Sequence, residues 1–414
     1  MRTPVSSTAS WAVIQVMEFI LIKLIKIDVN TIADEHDPIN KEHVMAIGLD
    51  EVIAAETVLS EVDGNRGKLI IRGRSLDDLA ARETYEGVMA MLFEQFLDEP
   101  APPQHWQSAL GAARVAVFQH LGSADAALLA LEPIDAMRAL VARIQDGNDP
   151  VTALHLVAAP AVFTAGLIRL RQGHAPIPPD AGLGHAADIL RMSGLPAEAA
   201  HVHALDAYLV TVADHGLNAS TFASRVVAST RAGLTSSVLA AISALKGPLH
   251  GGAPGPVLDM LDAIGTADKA STWLDAALAR GDRLMGFGHR IYRVRDPRAD
   301  ALKAALQPLL QGHHVPGQRA ELAQTIERIA LDTLRRHKPD RALETNVEFY
   351  TALLLDALGF DREVFTCIFA MGRVSGWIAH AREQALTGRL IRPQSRYVGP
   401  LPEAIADEAM AVGD

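Results

Sequence analysis

From Leu76 onward, apolar residues recur at three- and four-residue spacing almost everywhere, and the β-branched runs that a parallel sheet needs are missing. That spacing is the period of a helix with one buried stripe. It predicts helices over 126–131, 134–144, 151–170, 204–212, 223–244, 319–338, 347–358 and 365–386. Breaks fall where Pro and Gly cluster, as in Gly173-His174-Ala175-Pro176-Ile177-Pro178-Pro179. Residues 48–74 read differently. Gly64, Gly67 and Gly73 surround Lys68-Leu69-Ile70-Ile71-Arg72, the pattern of a small β-hairpin or two. The expected fold class is all-α with a small β element near the N-terminus, and a Rossmann-type sheet is a poor fit.

A chain of 414 residues is long enough for two domains, each with its own core. Hydrophobic content of 49% against 21% charged residues describes a compact globular enzyme, not a disordered or fibrous chain. A net charge of −11 argues against nucleic acid or an acidic membrane as the main partner. An anionic substrate must then be caught by a local basic cluster. The lone cysteine, Cys367, excludes an intramolecular disulfide and a Cys-based zinc site, and it suits a reducing, cytoplasmic setting. Lying in an apolar run, Cys367 is expected to be a small buried hydrophobe.

The first 44 residues stand apart. Trp11–Val29 is rich in Ile, Val and Leu, but Glu18, Lys23 and Lys26 interrupt it, which argues against a membrane span. No clear cleavage site follows, so an accessory or disordered extension is expected there. His313-His314 lack regular metal spacing with carboxylates; no metal or cofactor is expected, and the pair reads as a polar loop leading to Pro316-Gly317.

Three separated segments each offer one catalytic group in a glycine-rich or capped setting. They are Leu245-Lys246-Gly247-Pro248-Leu249-His250-Gly251-Gly252-Ala253, Met285-Gly286-Phe287-Gly288-His289-Arg290 and Asn346-Val347-Glu348-Phe349-Tyr350. Two histidines and a carboxylate form a minimal kit for acid–base chemistry on carbon. Asn346 is a good N-cap for the apolar helix that follows, so the helix N-terminus should favour an ionised Glu348. A helical run also follows His250, and its N-terminus should disfavour an imidazolium there.

The order and spacing of these segments resemble the citrate synthase family, over about Gly48 to Gly399. The resemblance implies a large helical domain of residues 45–251 and 361–414, a smaller one of 252–360, and a cleft that closes between them. It implies condensation of acetyl-CoA, as substrate, with oxaloacetate, followed by hydrolysis of the citryl thioester. Glu348 would take the methyl proton, a neutral His250 would donate to the thioester oxygen, and His289 to the keto oxygen. A keto diacid brings two carboxylates, which call for forked cations. Arg298, Arg373, Arg392 and His215 match the family's keto-acid-binding positions. Met285, Gly286, Phe287 and Gly288 match the loop that packs on the CoA adenine, and Arg293 a position that meets a CoA phosphate. A homodimer is implied, with Arg392 given to the partner's site.

Two departures stand out. The family's usual base is Asp, and Glu348 could reach about 1 Å further, a shift that can cost on the order of 10²-fold. The residue after His215 is usually acidic, and here it is Gly216. The same kit would serve 2-methylcitrate synthesis from propionyl-CoA, since one methylene separates the substrates by only about 1–3 kcal/mol. A catalytically weak paralogue that binds CoA or keto acids is the alternative of another class.

Overall fold

In the computed structural model the periodicity becomes sixteen α-helices among the described residues, and the glycine-bracketed start becomes one small sheet. The structure describes residues 52–97, 103–251, 254–289, 291–311, 317–341 and 343–399; the expected N-terminal extension and the His313-His314 loop lie outside them. By contacts the chain divides into residues 1–54 and 55–414, and the described secondary structure belongs to the second unit. Strands β1 (Ser60–Asp63), β2 (Lys68–Ile71) and β3 (Arg74–Ser75) form an antiparallel sheet in that order, with Val62 opposite Leu69 and Ile71 opposite Arg74. The expected hairpins are therefore present.

The first eight helices are α1 (Leu76–Arg82), α2 (Tyr85–Phe93), α3 (Pro103–Phe118), α4 (Ala126–Leu129), α5 (Pro133–Val141), α6 (Pro150–Arg171), α7 (His185–Ser193) and α8 (Ala199–Val212). They are followed by α9 (Ala219–Ser229), α10 (Leu234–Leu245), α11 (Pro254–Ile264), α12 (Ala267–Ala279), α13 (Pro297–Gln311), α14 (Gly317–His337), α15 (Val347–Ala357) and α16 (Phe365–Thr387).

Helices α6 and α16 are apolar on nearly every face, which suits elements surrounded by other helices. α16 packs on α6, α8, α9 and α10 and buries Phe365, Trp377 and Cys367, the last as expected. α8 lies against both α13 and α16, and α15 against α13. These four helices bring distant segments of the chain to one place.

One expected helix is two. The stretch 223–244 breaks between α9 and α10, where Arg231 has φ 63° and Gly233 φ 105°. Left-handed residues cannot continue the ladder of a right-handed helix. Asp146 then takes the backbone N–H of Thr235 at 2.8 Å and of Ser236 at 3.2 Å, starting α10 afresh. The periodicity runs through the break because α9 and α10 pack on each other and both pack on α16.

Candidate active site

Two of the three segments are laced together by backbone. The Gly288 N–H donates to the Glu344 carbonyl at 2.7 Å, and the Asn346 N–H to the Gly286 carbonyl at 3.0 Å. Asn346 works at both ends of its side chain. Its Oδ1 accepts the Glu348 N–H at 3.0 Å and caps α15, while its Nδ2 donates to the Gly288 carbonyl at 2.8 Å. The loop that carries His289 is thereby pinned to the helix that carries Glu348. Gly286 has φ 84°, and a Cβ there would lie 2.9 Å from the Phe349 ring, so a side chain would force the loop off the helix.

His289 Nδ1 accepts the backbone N–H of Ile291 at 3.0 Å and of Tyr292 at 3.1 Å. An imidazole whose Nδ1 accepts keeps its proton on Nε2. That nitrogen stands 3.2 Å from Arg298 Nη2, which places the imidazole directly against the guanidinium. Burial, and then the Arg298 charge, lower the His289 pKa to about 4. The ring is neutral at ordinary pH.

Arg298 is buried and forked onto Asp296, with Nε 3.0 Å from Oδ1 and Nη2 2.8 Å from Oδ2. Burial would discharge Arg298, but the Asp296 carboxylate overrides it and leaves its pKa above the ordinary value. Asp296 Oδ2 also accepts the Val347 N–H at 3.1 Å, at the first turn of α15.

The third segment meets these on the α9 and α16 side. His250 Nε2 lies 2.8 Å from Ser220 Oγ, which also accepts the Trp377 indole N–H at 3.1 Å and sits 2.8 Å from Asn218 Oδ1. The His250 ring is edge-on to Phe369 at 6.4 Å between centroids. Burial, then Arg373 and Arg298, lower its pKa to about 4. The expected neutrality is there, but its causes are desolvation and two cations.

His215 is buried with Nε2 3.1 Å from the Tyr292 hydroxyl, and its ring centroid lies 6.0 Å from that of His289. Burial, then Arg298 and Arg373, hold its pKa well below the ordinary value. Arg373 is buried on α16, donates Nε–H to the Val212 carbonyl at 2.5 Å and lies over the Phe369 ring at 4.9 Å. Burial, with Arg298 adding to it, lowers its pKa to about 10, so it stays charged. Behind it, Asp214 accepts from Ser60 and faces His380 Nε2 at 3.1 Å, while His380 Nδ1 faces Arg225 at 2.7 Å.

Glu348 reverses an electrostatic expectation. Its carboxylate is half-buried, and although its backbone N–H is capped, its pKa is pushed up to about 7. Burial raises it, Arg298 lowers it and Asp296 raises it again. The helix N-terminus does not prevail here, because burial of the carboxylate outweighs it, and the Asp296 carboxylate, which faces the same first turn, adds to that.

The structure therefore gathers His215, His250, His289, Arg298, Arg373 and Glu348 into one cluster. Met285, Gly286, Phe287 and Gly288 flank it on the strap below His289. Arg293 is exposed, its backbone N–H bonded to the Gly64 carbonyl at 2.9 Å. Arg392 is not brought in. It is exposed in the extended segment after α16, which is held by the Ile391 N–H on Ser229 Oγ at 3.0 Å. Sequence reading passed over Asp296, Ser220 and Tyr292. Only Asp296 left a sign, as the residue two before Arg298 that could close a forked pair.

Gly216 has a local explanation. Its φ is 60°, and its N–H donates to Ser60 Oγ at 3.0 Å, the hydroxyl that also reaches Asp214. An acidic side chain there would have to accept a left-handed backbone.

Comparison with known proteins gives this cluster a lineage. The family model described as "Citrate synthase, C-terminal domain" matches residues 48–394. The chain is 38% identical over 367 residues to "Putative citrate synthase 2" of Mycobacterium tuberculosis, covering 86% of this chain and 94% of that protein. It is 36% identical over 370 residues to "2-methylcitrate synthase" of the same organism, covering 85% and 90%. Among solved structures, citrate synthase from Thermoplasma acidophilum, in ternary complex with carboxymethyl coenzyme A and oxaloacetate, is similar with a TM-score of 0.74 at 26% identity. That likeness covers 87% of this chain and 99% of the other. With the helical fold, the catalytic segments and the matched span all in agreement, this chain belongs to the citrate synthase family and is an acyltransferase of that type.

Proposed function

We propose that this enzyme condenses acetyl-CoA with oxaloacetate to citrate and free CoA. The observation that carries the reading is the convergence of a carboxylate with pKa about 7 on two histidines held neutral. A base with that pKa is ionised in useful amount at neutral pH yet keeps an affinity for a carbon-bound proton. Glu348 removes a methyl proton of acetyl-CoA. His250 donates to the thioester oxygen as the enolate forms, its ring held by the 2.8 Å contact of Nε2 with Ser220 Oγ. The enolate carbon then attacks the keto carbon, while His289 Nε2–H and Arg298 Nη2–H meet the developing alkoxide. Arg373, Arg298 and His215 bind the dianion. Water finally cleaves the C–S bond, giving citrate and the CoA thiol.

The same proposal includes closure of a smaller lobe, residues 252–360, over a larger one, and a cytoplasmic homodimer. Arg392 then serves the partner's site, because its exposed segment lies outside its own cleft. The strap of Met285 to Gly288 and the exposed Arg293 would meet the CoA adenine and phosphate.

Release of free thiol, followed with oxaloacetate and each acyl-CoA in turn, tests the reading. Acetyl-CoA is expected to turn over fastest. Similar identity to proteins named for citrate and for 2-methylcitrate synthesis favours propionyl-CoA as the second reading. Absence of thiol release with either substrate would leave a CoA- or keto-acid-binding paralogue.

A further inference from the structure

Tyr208 on α8 is fully buried, and its hydroxyl has no hydrogen-bond partner among the described residues. A buried polar group left unpaired destabilises a fold, so a Phe would fill this space at lower cost. The hydroxyl calls for another explanation.

Its surroundings supply one. Arg373 donates to the carbonyl of Val212, one turn along α8 on the face that Tyr208 shares. α8 also packs on α15, the helix that begins at Val347. Besides burial, the Glu348 carboxylate raises the Tyr208 pKa, and the Arg373 guanidinium lowers it, so the phenol stays protonated within the field of both. Glu348 has the opposite deficiency. Apart from its own helix, its hydrogen bond among the described residues is the backbone N–H to Asn346, and no donor is given to its carboxylate. A donor without an acceptor and a carboxylate without a donor lie on neighbouring, packed helices.

We propose that Tyr208 is a positioning residue for Glu348: when the cleft closes on its substrates, the Tyr208 O–H donates to one carboxylate oxygen and holds the other towards the acidic carbon. The inference rests on Glu348 being the base. It also accounts for a glutamate in this role, since the extra χ angle of Glu must be fixed before its reach is useful. The other charged groups that face Glu348 are Arg298 and Asp296 at the start of α13, Arg373 on α16 and Arg283 ahead of the strap. All of them remain in the variants below.

The test is Tyr208→Phe in the full-length enzyme, alone and combined with Glu348→Gln. Loss of an unpaired hydroxyl should leave Tm unchanged or raised. Turnover should fall about tenfold or more, with the KM for oxaloacetate within about twofold of the parent. The acid limb of the kcat profile should move to higher pH, because the phenol stabilises the ionised carboxylate. In the Glu348→Gln background the same change should alter residual turnover by less than about twofold. Unchanged turnover and an unmoved limb would overturn the proposal, and so would a raised KM at full kcat, which would make the hydroxyl a substrate contact. A lowered Tm or failure to fold would overturn it too, by showing that the hydroxyl holds up the fold. Full turnover in Glu348→Gln alone would remove the base, and this inference with it; loss there with a silent Tyr208→Phe would remove this inference alone.

Discussion

The Val347 N–H donates to Asp296 Oδ2 at 3.1 Å, and through that one contact the helix bearing Glu348 is tied to the carboxylate that holds Arg298. Asp296 thus couples Arg298, the proposed keto-acid binder, to Glu348, the proposed base. Asp296→Asn removes a negative charge that raises the Glu348 pKa, so the acid limb of kcat/KM should move to lower pH. The KM for oxaloacetate should rise about tenfold or more, since a charge-assisted fork orients Arg298. A pH profile with an unmoved limb would show that Asp296 acts on Arg298 only.

Glu348 should set the pH dependence of the whole enzyme. With its pKa about 7, and His250 and His289 at about 4, kcat/KM should fall below neutrality through one carboxyl, with both histidines silent until far lower pH. Glu348→Gln should cut turnover about 10²-fold or more while oxaloacetate still binds. Its effect on stability has a definite sign. A carboxyl raised from 4.5 to about 7 favours the fold fully below 4.5, and loses that contribution as pH rises through 7. Melting of the Gln variant against the parent should therefore show a gain that grows from acid to mildly alkaline pH.

His250→Ala and His289→Ala should each lower turnover about 10²-fold or more, because each removes a donor aimed at developing charge. Steady-state kinetics separate the alternatives. A change confined to KM would make that histidine a binding group.

Gly216→Glu restores the acidic residue expected after His215, but on a backbone at φ 60°. Strain of this kind costs about 1–3 kcal/mol, and the variant should lose stability by that order in denaturant melts. A gain in stability would mean that the loop relaxes and that Gly216 is not required by the backbone.

Arg392→Ala and Glu348→Gln chains, each inactive alone, should regain activity when mixed and allowed to exchange subunits. If Arg392 acts in the partner's site, a mixed dimer carries one doubly altered site and one intact site. Proven exchange without recovery would assign Arg392 to its own chain or to neither site.

Periodicity alone located α6, α15 and α16, because a helix that must bury one or more faces writes its period into the residues. The candidate catalytic segments were legible for a similar reason: Gly286, Gly288 and the capping Asn346 are local backbone requirements that a sequence must meet in place. The break at Arg231 and Gly233 was not legible through periodicity, since α9 and α10 share a core and keep one phase of apolar residues. Nor could local sequence give the charge state of the site. Residue order puts Glu348 at a helix N-terminus and predicts an ionised carboxylate. Only the tertiary structure sets Asp296 against that same turn and buries the carboxylate, and desolvation with a like charge outweighs the few aligned N–H groups of a capped helix end. What the sequence by itself determined was which backbone could carry each group. Which groups face one another, and therefore which are charged, was decided by packing between residues far apart in the chain.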